Sequence, residues 1–131
     1  MKNIWCIRHG TALHNIMYPM IGSKAYTMAR YRDTPLVEKG QEESLELGET
    51  WDKKEEMDII FVSPLTRTLQ TATNIFKGTK IKMTAIDNIM EYPQTHEICN
   101  HRLNKTLLEK KYDYVDFSNI PEESTYWKDS P

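Results

Sequence analysis

The sequence predicts an α/β fold with a mainly parallel sheet and helices on both of its faces. Three short apolar runs, residues 3–7, 58–62 and 80–86, have the composition of strands. Segments with helical spacing of apolar residues lie between and after these runs. Strands that alternate with helices form parallel sheets, because a parallel connection needs a long crossover. Ligands of such sheets bind at the carboxyl ends of the strands.

The first apolar run ends abruptly in a candidate anion site. We predict a strand over residues 3–7, a tight turn at Gly10 and a helix from Thr11 to about Tyr18, which Pro19 ends. Glycine adopts backbone conformations that other residues resist, and threonine caps helix N-termini. The unpaired amides at the start of a helix attract anions, so we expect one to bind here.

Two side chains at this strand end indicate phosphate chemistry. Arg8 carries a permanent positive charge on a planar fork of donors that suits phosphate oxygens. His9 offers a ring nitrogen that is neutral, and therefore nucleophilic, near pH 7. Together they predict phosphoryl transfer with a histidine nucleophile.

The connection over residues 20–34 contains tyrosines and methionines without a clear period. Two interpretations remain open, a recognition surface for an organic substrate and a covered loop that packs on the core. The residues concerned, including one just before the connection, are Tyr18, Met20, Tyr26, Met28 and Tyr31. A turn over residues 32–40 leads into a helix over 41–54, whose Glu and Lys residues indicate a solvated outer face.

The second half of the chain continues the alternation. The strand over 58–62 ends at Ser63-Pro64, and a helix follows that Gly78 stops. The third strand is predicted over 80–86, a polar loop over 87–100 and a helix over about 101–111. We expect the rest of the chain to be irregular.

Composition limits the functions that this chain can have. At 131 residues it predicts a single domain, residues 1–131. A formal net charge of -2 and the lack of a basic run argue against nucleic-acid and membrane partners, so we expect a small ligand. Only two cysteines occur, which makes a disulfide framework improbable and favours a reducing compartment. No apolar run approaches membrane-spanning length, and we predict a cytoplasmic protein.

Two separated motifs carry a resemblance to a known family. Arg8-His9-Gly10 ends the first predicted strand, and Ser63-Pro64-Leu65-Thr66-Arg67-Thr68-Leu69-Gln70-Thr71-Ala72 follows the second. In this order they resemble the histidine phosphatase superfamily, the phosphoglycerate-mutase-like proteins. Similar proteins also carry an Asp-x-Pro-Leu-x-x-x-Gly string, which this chain matches at Asp33, Pro35, Leu36 and Gly40.

Later residues resemble the plant and fungal subgroup of this family. The matching positions are Glu91, Cys99, Arg102, Asp116-Phe117-Ser118 and Trp127-Lys128, and Asn100 stands where the subgroup has aspartate. The fold of the family continues with a strand that carries a second histidine, whereas this sequence ends at Pro131 before such a string. We therefore expect a shortened version of the family fold.

The resemblance implies a catalytic role for four residues. Arg8 and Arg67 clamp the phosphoryl group, and His9 attacks it while a backbone carbonyl fixes the tautomer of the ring. Glu91 protonates the leaving oxygen, and we expect burial beside the phosphate to raise its pKa for this task.

Other polar residues receive smaller roles. Gly10, Thr11 and Asn15 are predicted to contact the substrate, whereas His14 lies off the helical face nearest His9. His96 and His101 lack a surrounding ligand cluster, so we predict no metal site. No cofactor is expected either.

The sequence leaves three functions open. We favour hydrolysis of a small phosphomonoester, with the substrate or inorganic phosphate as ligand, over mutase transfer, because no closing segment is evident that would keep water from a phosphohistidine. The alternatives are a phospholigand-binding relic and a fragment of a longer enzyme. We expect either an exposed apolar groove beside the first strand, which a neighbouring molecule or the tail after Asp116 fills, or a sequence that is part of a longer protein. Self-association through the uncovered sheet face is a further expectation.

Overall fold

A three-stranded parallel sheet lies at the centre of the computed structural model, which describes residues 2–91 and 97–124. Its strands, in the order β1-β2-β3, are β1 (Ile59–Val62), β2 (Lys82–Ala85) and β3 (Val115–Asp116). Ile59 lies opposite Lys82, and Met83 lies opposite Val115. The sheet is flanked by helices, which confirms the predicted α/β class.

Five α-helices surround this sheet in the described residues. They are α1 (Leu13–Ile21), α2 (Lys24–Thr27), α3 (Glu38–Thr50), α4 (Thr66–Ile75) and α5 (Lys105–Lys111). Short 3-10 turns connect several of them. None of the described helices is both long enough and apolar enough to cross a bilayer.

Helices α3 and α4 pack closely because a glycine lies at their contact. A Cβ on Gly48 would meet the carbonyl oxygen of Ile75 at 2.6 Å, so no larger residue fits without moving backbone. Asn74 also donates hydrogen bonds from α4 to Gln41 and Ser44 on α3, at 2.6 and 2.9 Å. These contacts fix α4, the helix that presents Arg67.

The core fills the space between the sheet, α4 and α5. Its buried side chains are mostly apolar, as the spacing of apolar residues in the sequence predicts. They are Ile60, Val62, Leu69, Ala72, Ile75, Phe76, Met83, Ala85, Leu108, Tyr112, Val115, Phe117 and Ile120.

The prediction of a strand over residues 3–7 is wrong. No strand is assigned there, and within the described sheet β1 pairs only with β2, so this segment has no neighbour for its amides and carbonyls. It contacts the rest of the described chain through Trp5, whose ring makes an edge contact with Trp51 at 5.7 Å and lies 5.6 Å from Nζ of Lys53. Large apolar side chains of this segment and of β1 are exposed: Ile4, Trp5, Ile7, Ile59 and Phe61.

The segment after His9 also differs from the prediction. The helix begins at Leu13 and continues past Pro19 to Ile21, where Gly22 with φ +67° ends it. Proline removes one hydrogen bond near the end of the helix and the chain completes the last turn around it. The predicted connection contains α2 and a 3-10 turn. Tyr31 is buried, as in a covered loop, whereas Tyr18, Met20 and Met28 are exposed, and recognition of a substrate by them stays a prediction.

The structure adds one strand that the sequence did not predict. β3 lies in the supposedly irregular tail and buries Val115 against the core. Helix α5 begins at Lys105 and not at residue 101, because the side chain of Asn104 accepts a hydrogen bond from the amide of Leu107 and caps the helix there. His96 and the Trp127-Lys128 string lie outside the described residues.

Candidate active site

One pocket of about 280 Å³ contains all four residues that the sequence predicts to be catalytic. It lies where β1 ends and α4 begins. Its lining residues are Ile7, Arg8, His9, Ser63, Leu65, Arg67, Thr68, Ile89, Met90 and Glu91. Segments far apart in sequence therefore meet at the carboxyl end of a strand, where sheets of this class bind ligands.

His9 is held in one tautomer by its own neighbour. Its Nδ1 lies 2.6 Å from the carbonyl oxygen of Gly10, and because a carbonyl only accepts, Nδ1 carries the proton. Nε2 is then unprotonated, and it lies 4.0 Å from Oε2 of Glu91. The carbonyl contact predicted for this ring is present.

The surroundings of His9 keep its ring neutral. Burial is the largest cause that lowers its pKa, and the positive charges of Arg67 and Arg8 lower it further, while the Gly10 contact and Glu91 oppose them. A neutral imidazole with a free Nε2 is the form that attacks phosphorus.

Arg67 is completely buried and is fixed by three acceptors. Its Nη1 donates to the carbonyl of Cys99 at 2.9 Å. Its Nη2 donates to Oδ1 of Asn100 at 2.9 Å and to Oε2 of Glu91 at 3.2 Å. The guanidinium therefore has one orientation and lies beside the carboxylate that also faces His9.

Glu91 differs from its prediction in its exposure. Its side chain is 44% exposed, whereas we expected it to be buried. The carboxylate stays at the mouth of the pocket because Arg67 holds one of its oxygens. It is therefore free to move when a ligand competes for that arginine.

The start of α4 is fixed by a buried carboxylate from a distant loop. Asp33 adopts a left-handed backbone conformation with φ +46°. Its Oδ1 accepts from the amide of Thr66 at 2.8 Å, and its Oδ2 accepts from the Thr66 hydroxyl at 2.7 Å. Because Thr66 precedes Arg67, this contact positions the arginine indirectly.

The role predicted for Gly10 as a flexible turn is wrong. The described glycines with positive φ are Gly22 and Gly78, so Gly10 needs no left-handed conformation. It needs space, since a Cβ there would lie 2.7 Å from the carbonyl oxygen of Gly40. Its amide donates to Oγ1 of Thr71 at 3.0 Å.

Thr11 does not cap the first helix as predicted. Its amide and hydroxyl both donate to Oε1 of Glu43, at 3.1 and 2.7 Å. Ala12 occupies the N-cap position, and the side chain of Asn15 accepts from its amide at 2.9 Å. Contact of Gly10, Thr11 and Asn15 with a substrate stays a prediction.

His14 lies closer to His9 than its predicted position on the helix implies. The two ring centroids are 6.2 Å apart. Helix α1 begins only at Leu13, after the extended Ala12, so the helical spacing assumed from His9 does not apply. Nδ1 of His14 lies 2.5 Å from Oγ1 of Thr34. Burial lowers the pKa of His14 to about 4, with further lowering by Arg67, His9 and Arg8.

Several residues that shape the site were not predicted as members of it. They are Asp33, Thr71, Asn100 and the carbonyl of Cys99. All four lie in strings that the resemblance had already marked, so this signal was present in the sequence. Over residues 2–91 and 97–124, no group of three or more His, Cys, Asp or Glu side chains could hold a metal ion.

The match to a family model agrees with the motifs. The family model of the histidine phosphatase superfamily, branch 1, matches residues 4–117. A search of curated proteins gave no match. Among solved structures, the chain is similar to phosphoserine phosphatase from Entamoeba histolytica in complex with 3-phosphoglyceric acid, at 24% identity and a TM-score of 0.49.

The extent of these matches differs between the two comparisons. The alignment with the solved structure covers 91% of this chain but 55% of that one, so the chain spans about half the length of this neighbour. The family model covers most of the chain and includes Arg8, His9, Arg67 and Glu91. The chain belongs to the histidine phosphatase superfamily, branch 1.

Proposed function

We propose that this protein hydrolyses a small phosphomonoester through a phosphohistidine on His9. The observation that carries this proposal is the position of one oxygen, Oε2 of Glu91, which lies 4.0 Å from Nε2 of His9 and 3.2 Å from Nη2 of Arg67. A nucleophile, a permanent cation and a carboxyl group thus share one pocket. These are the three groups that phosphoryl transfer to nitrogen requires.

In the first half of the reaction, the phosphate is transferred to the enzyme. Arg8 and Arg67 bind the dianion, and Nε2 of His9 attacks phosphorus as the bond to the leaving oxygen breaks. Repulsion by the bound dianion favours the protonated form of Glu91, which gives its proton to the leaving oxygen. Nδ1 of His9 keeps its proton in both halves of the reaction and donates it in a hydrogen bond to the carbonyl oxygen of Gly10.

In the second half, water releases the phosphate. Glu91, now a carboxylate, takes a proton from the water as its oxygen attacks phosphorus, and the bond between nitrogen and phosphorus breaks. Inorganic phosphate leaves and His9 is again neutral. Positioned acid-base catalysis of this kind contributes roughly 10²–10⁴-fold to a rate.

The finer assignments belong to the same proposal. We place the chain in the plant and fungal subgroup on the match at Glu91, Cys99, Arg102 and Asp116-Phe117-Ser118, as a single cytoplasmic domain without cofactor. Gly10, Thr11 and Asn15 contact the substrate after exchanging their present partners. The ligand is a small phosphorylated molecule or inorganic phosphate, and neither nucleic acid nor membrane.

A second candidate is binding of a phosphorylated ligand without turnover, in a relic or in a fragment of a longer enzyme. It is favoured by the apolar side chains that 3–7 and β1 leave exposed, such as Ile4 at 89% and Phe61 at 56%. Such a surface is typical of an edge that another segment or another copy covers. Self-association through this face belongs to the same proposal.

Hydrolysis of p-nitrophenyl phosphate by the purified chain tests the two candidates against each other. We expect turnover that is lost in His9→Ala, with Glu109→Gln at an exposed position of α5, outside the site, as a folded control that keeps it. Binding of inorganic phosphate without any turnover would favour the second candidate.

A further inference from the structure

The pocket around His9 changes in character from its inner end to its mouth. Arg67 is completely buried, and the side chain of His9 is only 9% exposed. Glu91 lies at the mouth. Two apolar residues that line the same pocket, Ile7 and Ile89, are 42% and 49% exposed. We call these two isoleucines the apolar rim of the pocket.

The charged groups of the pocket leave no cation for an acidic leaving group. Among the described lining residues, the arginines and lysines are Arg8 and Arg67, and in the proposed reaction both bind the phosphoryl group. Arg102 contacts the turn that carries Ile89, but it is buried and donates to Asp87 and to backbone carbonyls. Its charge is therefore already paired.

The position of Glu91 decides where the organic part of a substrate lies. An acid must lie within hydrogen-bonding reach of the leaving oxygen, so this oxygen and the group attached to it lie on the Glu91 side of phosphorus. Ile89 is two residues before Glu91, in a turn that is held in place. The amide of Met90 donates to the carbonyl of Asp87 at 3.0 Å, and the Asp87 side chain pairs with Arg102.

We infer that the substrate is the phosphomonoester of an apolar, uncharged alcohol or phenol, whose organic part contacts Ile7 and Ile89. The inference rests on the proposed function and names the substrate class of the same site. Contact with an apolar group removes both isoleucines from water and is favourable. A carboxylate on the leaving group would instead lose water at the rim without gaining a partner.

Two esters test the inference on the wild-type chain, without any variant. Phenyl phosphate and meta-carboxyphenyl phosphate have leaving groups of similar basicity and differ by one carboxylate. We expect kcat/KM to be higher for phenyl phosphate by about 10-fold or more, because the carboxylate is desolvated at the rim. Equal values would overturn the inference. A preference for the acidic ester would also overturn it, and would indicate that Arg8 binds the leaving group.

A cation placed on the rim should reduce the preference for phenyl phosphate. Ile89 is half exposed, so lysine fits there without burial of its charge. We expect Ile89→Lys to lower the ratio of the two kcat/KM values by about 3-fold or more, the size of a partly exposed ion pair. Attraction of the phosphoryl group to the new charge is common to both esters and cancels in this ratio.

Leu107→Lys is the matched control for this variant. Leu107 is 45% exposed and lies on α5, outside the pocket, so the same cation there should leave the ratio of the two kcat/KM values unchanged. The wild-type ratio in a folded Ile89→Lys variant would overturn the inference.

Two phosphonates separate this inference from the proposed function. Phenylphosphonate and its meta-carboxy derivative resist hydrolysis, and calorimetry measures the Kd of each. Binding of phenylphosphonate that is tighter by about 10-fold or more, in a chain that hydrolyses neither ester, would support the inference and contradict hydrolysis. Turnover of both esters with equal kcat/KM would support hydrolysis and overturn the inference.

Discussion

Nε2 of His9 lies 4.0 Å from Oε2 of Glu91. A reacting phosphorus needs about 3–3.5 Å from the attacking nitrogen, and the leaving oxygen beyond it needs a hydrogen bond of about 2.6–3.2 Å to its acid. These distances do not fit within the present gap. Binding of a substrate must therefore move the carboxyl group of Glu91 outwards and away from Arg67, and its partial exposure permits this movement.

The acid role of Glu91 predicts a dependence on the leaving group. Glu91→Gln should slow hydrolysis of an alkyl phosphate by about 10²-fold or more, because an alkoxide leaves poorly without a proton. Hydrolysis of p-nitrophenyl phosphate should slow far less, since its leaving group is stable as an anion. Steady-state kinetics with both esters check this, and an equal loss for the two would remove Glu91 from the acid role.

A buried ion pair holds the segment that leads to Glu91. Arg102 donates from Nε and Nη2 to both carboxylate oxygens of Asp87, at 2.7 and 3.0 Å, and from Nη2 to the carbonyl of Pro121 at 2.8 Å. Arg102→Met leaves the carboxylate buried without its cation, so we expect a loss of about 3–5 kcal/mol in the free energy of unfolding. Urea denaturation at pH 7 measures it.

The control for this prediction is an exposed ion pair. Lys82 and Asp116 lie 3.8 Å apart at the surface, and exposed pairs contribute about 0–1 kcal/mol. Lys82→Met should therefore cost much less than Arg102→Met. Similar losses for the two variants would show that the buried pair has no special contribution.

Acid should destabilise the protein through His14. The pKa of this residue is about 4 in the folded chain and about 6.5 when unfolded. Between these values the unfolded chain binds a proton that the folded chain does not, so stability is complete above about pH 6.5 and falls as the pH drops toward 4. At pH 5 the expected loss from this residue is about 2 kcal/mol.

His14→Gln isolates this contribution. Urea denaturation at pH 7 and pH 5 should show a smaller loss in the variant than in the wild type, by about 2 kcal/mol. Glutamine can still contact Thr34 but does not titrate. The same pH dependence in both proteins would mean that His14 is not the group that titrates.

The sequence predicts part of this fold because its signals are local. The apolar run at 58–62, followed by Ser63-Pro64 and a helical stripe, identifies β1 and α4 with small errors at their ends. The run at 3–7 has an equally good strand composition, yet no strand forms there, because a strand also needs a neighbour and neighbours are not encoded locally. β3 was missed for the opposite reason, since β2 supplies its pairing partner.

The candidate site likewise has one part that the sequence predicts and one part that it does not. His9, Arg67 and Glu91 could be proposed from motifs, and the structure brings them into one pocket. The contact between Gly10 and Gly40 and the hydrogen bonds from Asp33 to Thr66 depend on how distant loops pack. Packing of this kind follows from the whole fold and not from the composition of any one segment.

Trapping of the phosphoenzyme tests the central claim most directly. The chain is mixed with a 32P-labelled phosphomonoester, quenched in denaturant at alkaline pH, where phosphohistidine survives, and its label is followed before and after brief acid treatment. We predict label that acid removes, located on the peptide that contains His9 and absent from His9→Ala. Label that resists acid, lies on another peptide or persists in His9→Ala would contradict the account.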